Sequence, residues 1–157
     1  MLLCTLSERP NIIGIDLRSG EVALTMETDK PVTSLALCAD QRTLCSAEAG
    51  GVRLWDAATL TQEDMLPIQG WECEAASFDP KTQRIAAGGA DMWVHVFDRN
   101  SKAQLDVCKG HHGPVHTVMF SPSGDTFASG SEDGTIRIWN NGGSVTTEAA
   151  PVAETNS

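Results

Sequence analysis

The sequence predicts an all-β fold made of repeated, four-stranded antiparallel sheets, and three observations lead there. Alternating strand-like runs close on an aromatic residue followed by Asp or Asn in VRLWD, VHVFD and IRIWN, which sets Trp55, Phe97 and Trp139 at a constant spacing of 42 residues. A related run, IIGID, puts Ile15 forty residues before Trp55. Upstream of each dipeptide stands the same strand, polar turn and strand: SLALCADQRTLCSAE, ASFDPKTQRIAAGGAD and VMFSPSGDTFASGSED. Apolar positions recur at period two rather than 3.6, with Gly or Pro at intervals of roughly ten residues, so strands rather than helices are expected.

Taken in order, the first unit reads as three strands (LLCTL, NIIGIDL, EVALTM) over residues 1–30. Residues 31–70 and 71–110 each supply four, the last of each being EDMLPI and AQLDVC. Residues 111–140 supply three, so the final unit is expected to lack its outer strand. The tail 141–157, NGGSVTTEAAPVAETNS, is small, polar and Pro-containing, and is expected to be disordered. Within a unit the third strand carries bulk on both faces: Trp93, His95 and Phe97 on one, Val94 and Val96 on the other. Such a strand is covered on both sides, which sheets sandwiched between neighbouring sheets explain.

Composition bounds the function. With 41 % apolar residues, the 157-residue chain can bury a core. Its net charge of −10 argues against direct nucleic-acid binding, which needs clustered Lys and Arg. Five cysteines, without a C-x-x-C pair, suggest neither a disulfide framework nor a zinc knuckle. MLLCTLSERP has no basic flank and is interrupted by Ser7, Glu8 and Pro10, so a soluble, intracellular protein with no membrane insertion is expected.

A period of about 40 to 45 residues with four strands each is that of WD40 blades set radially in a β-propeller. Gly110-His111 followed by Trp139-Asn140 resembles the GH and WD dipeptides of that family. Trp55-Asp56 and Phe97-Asp98 occupy the WD-type positions of earlier blades. The resemblance implies a hydrogen-bonded chain of His111, Ser129, Asp133 and Trp139 in the last blade. Other units depart from it: Gln69, Ala87, Asp91 and Phe97 stand at the same offsets in one, Ser46 and Trp55 with Ala49 and Gly50 in another, Thr5, Arg9 and Ile15 in the first. One polar-locked blade is therefore expected, the rest relying on apolar packing.

Residues 85–140, above all KGHHGPVHTVMFSPSG and ASGSEDGTIRIW, resemble the last two blades of the serine/threonine kinase receptor-associated (unr-interacting) branch of the family. That resemblance implies a noncatalytic adaptor without cofactors, working with survival-of-motor-neuron complex components in spliceosomal particle assembly and mRNA splicing, and with receptor kinases or Smad proteins in TGF-β signalling. It implies a cytoplasmic and nuclear location. The alternative is the WD40 subunit of eukaryotic translation initiation factor three, or a generic WD40 interaction module. Members of the branch have seven blades, so about three and a half blades form an incomplete ring that needs another chain or missing blades to close.

No catalytic constellation is evident. His111, His112 and His116 invite a metal reading, yet no Cys or carboxylate converges on them within the stretch, and a network role for His111 outweighs it. SEDGT lacks the calcium-loop spacing, and GADMW and AEAGG lack the G-K-[ST] of phosphate loops. Cys45 and Cys73 have no base nearby in sequence and read as buried strand residues. Binding is expected at the rim where Gly110–Pro114 meets Ser131–Gly134, with Trp71, His112 and Glu132 as candidate contacts.

Overall fold

A computed structural model describes residues 1–6, 8–142 and 145–148. Its strands, in chain order, are β1 (Leu2–Leu6), β2 (Arg9–Ile15), β3 (Val22–Glu27), β4 (Val32–Leu37), β5 (Thr43–Glu48), β6 (Gly51–Asp56), β7 (Gln62–Pro67) and β8 (Cys73–Asp79). They continue as β9 (Arg84–Gly89), β10 (Val94–Asp98), β11 (Gln104–Cys108), β12 (Val115–Phe120), β13 (Thr126–Ser131), β14 (Ile136–Asn140) and β15 (Val145–Glu148). The described residues contain strands and turns and no helix. Four antiparallel sheets result: β1–β3 with three strands, then β4–β7, β8–β11 and β12–β15 with four each.

The last sheet corrects two expectations. β15 pairs with β14 through Arg137↔Glu148, Ile138↔Thr147 and Trp139↔Val145, so the final blade has its outer strand. The segment VTTE is rich in β-branched residues and reverses direction after an Asn-Gly pair, both favourable to a hairpin. Its low apolar content disguised it, because an edge strand is held mainly by the backbone ladder of its neighbour. Residues 145–148 therefore do not belong to a disordered tail; residues 143, 144 and 149–157 lie outside the described residues.

Turns repeat as faithfully as strands. The turns after β2, β6 and β10 carry a left-handed residue four positions past an Asp: Gly20 (φ 74°), Leu60 (φ 58°) and Lys102 (φ 61°). Asp16, Asp56 and Asp98 fold their carboxylates back onto backbone N–H groups of the same turns. Local hydrogen bonding by an Asp side chain thus sets the turn whatever residue must take the strained position.

Packing between sheets follows from the pleat, which sends alternate side chains to opposite faces. One face of β8–β11 puts Cys73, Ala76, Phe78, Ile85 and Phe97 against Val52, Leu54 and Leu66 of the preceding sheet. Its other face puts Ala75, Ala86, Val94 and Val96 against Val115, Val118, Phe120, Phe127 and Trp139 of the next. Ile12 and Met26 meet Val32, Leu44 and Trp55 in the same way between the first two sheets. The first strand of each later sheet, β4, β8 or β12, leans on the sheet before it, so the four sheets fan out as an unclosed arc of propeller blades. At the far end Met119, Ile136 and Ile138 are exposed at 50 %, 48 % and 38 %, whereas Ser77, Val94 and Val96 at the same register in the third sheet are buried.

Candidate functional site

In the last blade the loop between β11 and β12, β13, the β13–β14 turn and β14 bring four polar groups into one chain. Trp139 Nε1 donates to Ser129 Oγ at 2.7 Å, and Ser129 Oγ lies 2.8 Å from His111 Nε2. His111 Nδ1 lies 3.2 Å from Asp133 Oδ2. One assignment satisfies every atom: Ser129 accepts from the indole and donates to Nε2, leaving Nδ1–H to donate to the carboxylate. Asp133 also accepts the His112 backbone N–H at 2.8 Å and the Thr135 hydroxyl at 2.7 Å. Burial pushes the Asp133 carboxyl up, but the His112 N–H and the Thr135 donors outweigh it and hold the group well below the usual range. Burial pulls His111 below the ordinary imidazole value, against the opposing pull of Asp133. A neutral imidazole held between a hydroxyl and a carboxylate fixes the rim.

The other two complete blades are polar-locked as well, which corrects the expectation of purely apolar packing. In the second sheet Trp55 Nε1 keeps its bond to Ser46 Oγ at 2.9 Å. Arg53, 6 % exposed, donates from Nε to Glu48 Oε1 at 2.9 Å and from Nη1 to Gln62 Oε1 at 2.6 Å, and pairs with Asp29. In the third sheet His95 takes the Arg53 position: Nε2 lies 2.6 Å from Asp91 Oδ2 and Nδ1 lies 3.0 Å from Gln104 Oε1. Trp71 stacks on the His95 ring at 4.6 Å between centroids. A basic side chain two residues before the Trp or Phe, with a Gln facing it from the outer strand, thus replaces the His-Ser-Asp arrangement. Sequence comparison at the His111 and Ser129 offsets missed it because the basic group has moved onto the third strand and meets a Gln of the fourth, while Asp91 alone keeps the Asp133 offset.

Trp55 and Phe97 are buried packing residues. Asp56 accepts the Ala58 and Thr59 backbone N–H groups and the Thr59 hydroxyl, and Asp98 accepts the Ser101 N–H and hydroxyl. These bonds, led by that of Thr59 in one case and Ser101 in the other, hold both carboxyls below their ordinary value. At the WD-type positions the aromatic residue packs and the Asp caps the turn.

Of the three candidate rim residues, His112 and Glu132 are exposed on the last blade. There Glu132 N–H donates to Pro114 O at 3.0 Å and Ser131 Oγ to Gly113 O at 2.8 Å, tying the two loops together. Trp71 is half-buried against the core of the second and third sheets. The histidines do not converge: His111 is spent in the network, and His116 bridges to Glu74 of the third sheet at 2.5 Å. Among the described residues no group of three His, Cys, Asp or Glu side chains could hold a metal ion. Cys45 and Cys73 are buried, and burial pushes the Cys73 thiol up to about 12, so both pack as apolar residues rather than as thiolates.

A feature of the rim that sequence reading passed over is Met92-Trp93. These residues stand where the last blade has Gly134 and Thr135, and both side chains are exposed. The signal was available in the loss of that glycine.

Comparison with known proteins agrees with the architecture. The family described as WD domain, G-beta repeat matches residues 20–56 and 102–140. The chain is similar to the serine-threonine kinase receptor-associated protein of Dictyostelium discoideum, at 41 % identity over 125 residues, 79 % of this chain and 42 % of that protein. It is also similar to the protein of that name from Mus musculus, at 35 % over 141 residues, 65 % of this chain and 40 % of that protein. Pre-mRNA-processing factor 19 of Homo sapiens is 50 % identical over 58 residues, 37 % of this chain and 12 % of that protein. The chain spans about two fifths of the length of the receptor-associated relatives it matches.

Proposed function

This chain belongs to the WD40-repeat family, and from that premise we propose that it serves as a noncatalytic scaffold of the receptor-associated kind. The observation that carries the reading is the 41 % identity to a serine-threonine kinase receptor-associated protein across 79 % of the chain. The site supports it: every titratable group in the polar locks is consumed in bracing a blade, while loops differ from blade to blade and face outward. Rigid blades with variable loops suit protein recognition.

The finer assignment is that the chain holds survival-of-motor-neuron complex components during spliceosomal particle assembly and also serves serine/threonine kinase receptor and Smad signalling, in cytoplasm and nucleus. Support comes from the resemblance of residues 85–140 and from the name that the relatives carry. Affinity purification of the chain from cells, followed by mass spectrometry, tests it. Recovery of splicing-particle assembly factors or receptor-signalling proteins is expected; recovery of translation initiation factor subunits alone would overturn the assignment.

A further inference from the structure

The turn between β9 and β10 departs from its counterpart between β13 and β14 in a way that disfavours folding and enlarges the exposed surface. In the last blade the left-handed position is Gly134 (φ 79°), which has no side chain to clash. In the third blade it is Met92 (φ 71°), a conformation unfavourable to any residue with a Cβ, and its side chain is 40 % exposed. The next residue in the last blade, Thr135, gives its hydroxyl to Asp133; its counterpart Trp93 has no hydroxyl to give and is 37 % exposed. Strain combined with exposed apolar bulk points to a surface kept for contact rather than for stability.

The face of Trp93 already holds a cation. Lys109, itself exposed, sets its Nζ 4.0 Å from the ring centroid. The indole face therefore accepts an ammonium, and the one it holds is on a side chain exposed to solvent. A carboxylate shares this rim: the exposed Glu72 is held beside the turn by its carbonyl, which accepts the Ala90 N–H at 3.1 Å. Glu74 and Glu132 flank His116 where the third and fourth blades meet. An acidic rim on a chain of net charge −10 repels phosphate and attracts basic polypeptide.

We propose that Met92 and Trp93 form a docking point for a basic protein segment, one of whose lysine or arginine side chains takes the place of Lys109 over the Trp93 ring. Lys109 is then an internal occupant that the partner displaces, while Met92 adapts to the neighbouring aliphatic stem. The inference rests on the scaffold reading and names the partner chemistry for one point on its rim.

The probe is a peptide of alternating lysine and glycine, titrated against the full chain while the Trp93 indole N–H resonance is followed by NMR. A saturable shift of that resonance is expected, and acetylating the lysines should abolish it. Trp93→Leu should weaken binding roughly three- to thirtyfold, the range that a lysine on a tryptophan face carries. Should Trp93→Leu fail to fold, Lys109→Gln and Lys109→Arg decide: Gln should tighten binding relative to Arg, and equal affinity would overturn the proposal. Equal binding by the acetylated peptide, or a preference for an RNA oligonucleotide, would also overturn it. If Trp93→Leu chain still recovers every cellular partner and binds the peptide as before, the docking point is wrong while the scaffold reading stands.

Discussion

The Ser129 hydroxyl receives the Trp139 indole N–H at 2.7 Å across adjacent strands, and both residues are 1 % exposed. At that depth no water replaces a lost partner, so the pair is a fixed point of the blade. Ser129→Ala leaves the indole N–H and His111 Nε2 unpaired and should cost about 1 to 3 kcal/mol, read as a lower midpoint in chemical denaturation. An unchanged midpoint would mean that the network does not brace the fold.

Acid should loosen the same blade in two steps. His111 is held below its ordinary value by burial, so its contribution is present above the unfolded imidazole value of about 6.5 and is lost as pH falls toward the lower folded value. Asp133 is likewise depressed, and its contribution is lost only at more acid pH, below the usual carboxylate range. Thermal melts between neutral and mildly acid pH should show the first loss in the native chain and not in a His111→Gln variant.

Arg53 and Glu48 form a buried ion pair with Nε to Oε1 at 2.9 Å. Glu48→Leu leaves the Nε–H of the buried Arg53 without its acceptor while Asp29 and Gln62 remain, and should destabilise by about 1 to 3 kcal/mol, whereas the double change Glu48→Leu with Arg53→Met should recover part of that. A double-mutant cycle with no coupling would contradict the lock assigned to this blade.

The third and fourth sheets approach closely at Gly88, where an added Cβ would stand 2.6 Å from Val115 Cγ1 and 2.9 Å from its Cβ. Gly88→Ala should therefore destabilise by about 1 to 3 kcal/mol through overpacking between the third and fourth sheets, as measured by denaturant titration.

The far face of the last sheet exposes Met119, Ile136 and Ile138 in register. The purified chain should self-associate in sedimentation, and Ile136→Lys with Ile138→Lys should make it more nearly monodisperse. A monodisperse native monomer would show that this face is content in water.

The repeat was legible at once, because period-two alternation, Asp-capped turns and the 42-residue spacing of Trp55, Phe97 and Trp139 are local properties of the chain. His111, Ser129, Asp133 and Trp139 could be picked out by resemblance, since each sits at a family offset. The locks built on Arg53 and His95 could not. Gln62 and Gln104 meet those side chains only because the outer strand pairs in one register with the strand bearing them, and Asp29 reaches Arg53 from the preceding loop. β15 was hidden for a related reason: a strand stabilised by its neighbour's backbone has no need of an apolar pattern of its own. Trp93 looked like part of a strand covered on both sides in the sequence, and only the left-handed turn at Met92 shows it at the rim. Alternation and turn chemistry are encoded residue by residue, so the sequence by itself determined the blades. Which polar side chains close on one another, and which apolar ones stay wet, depends on register and on the radial stacking of sheets, which only the tertiary structure decided.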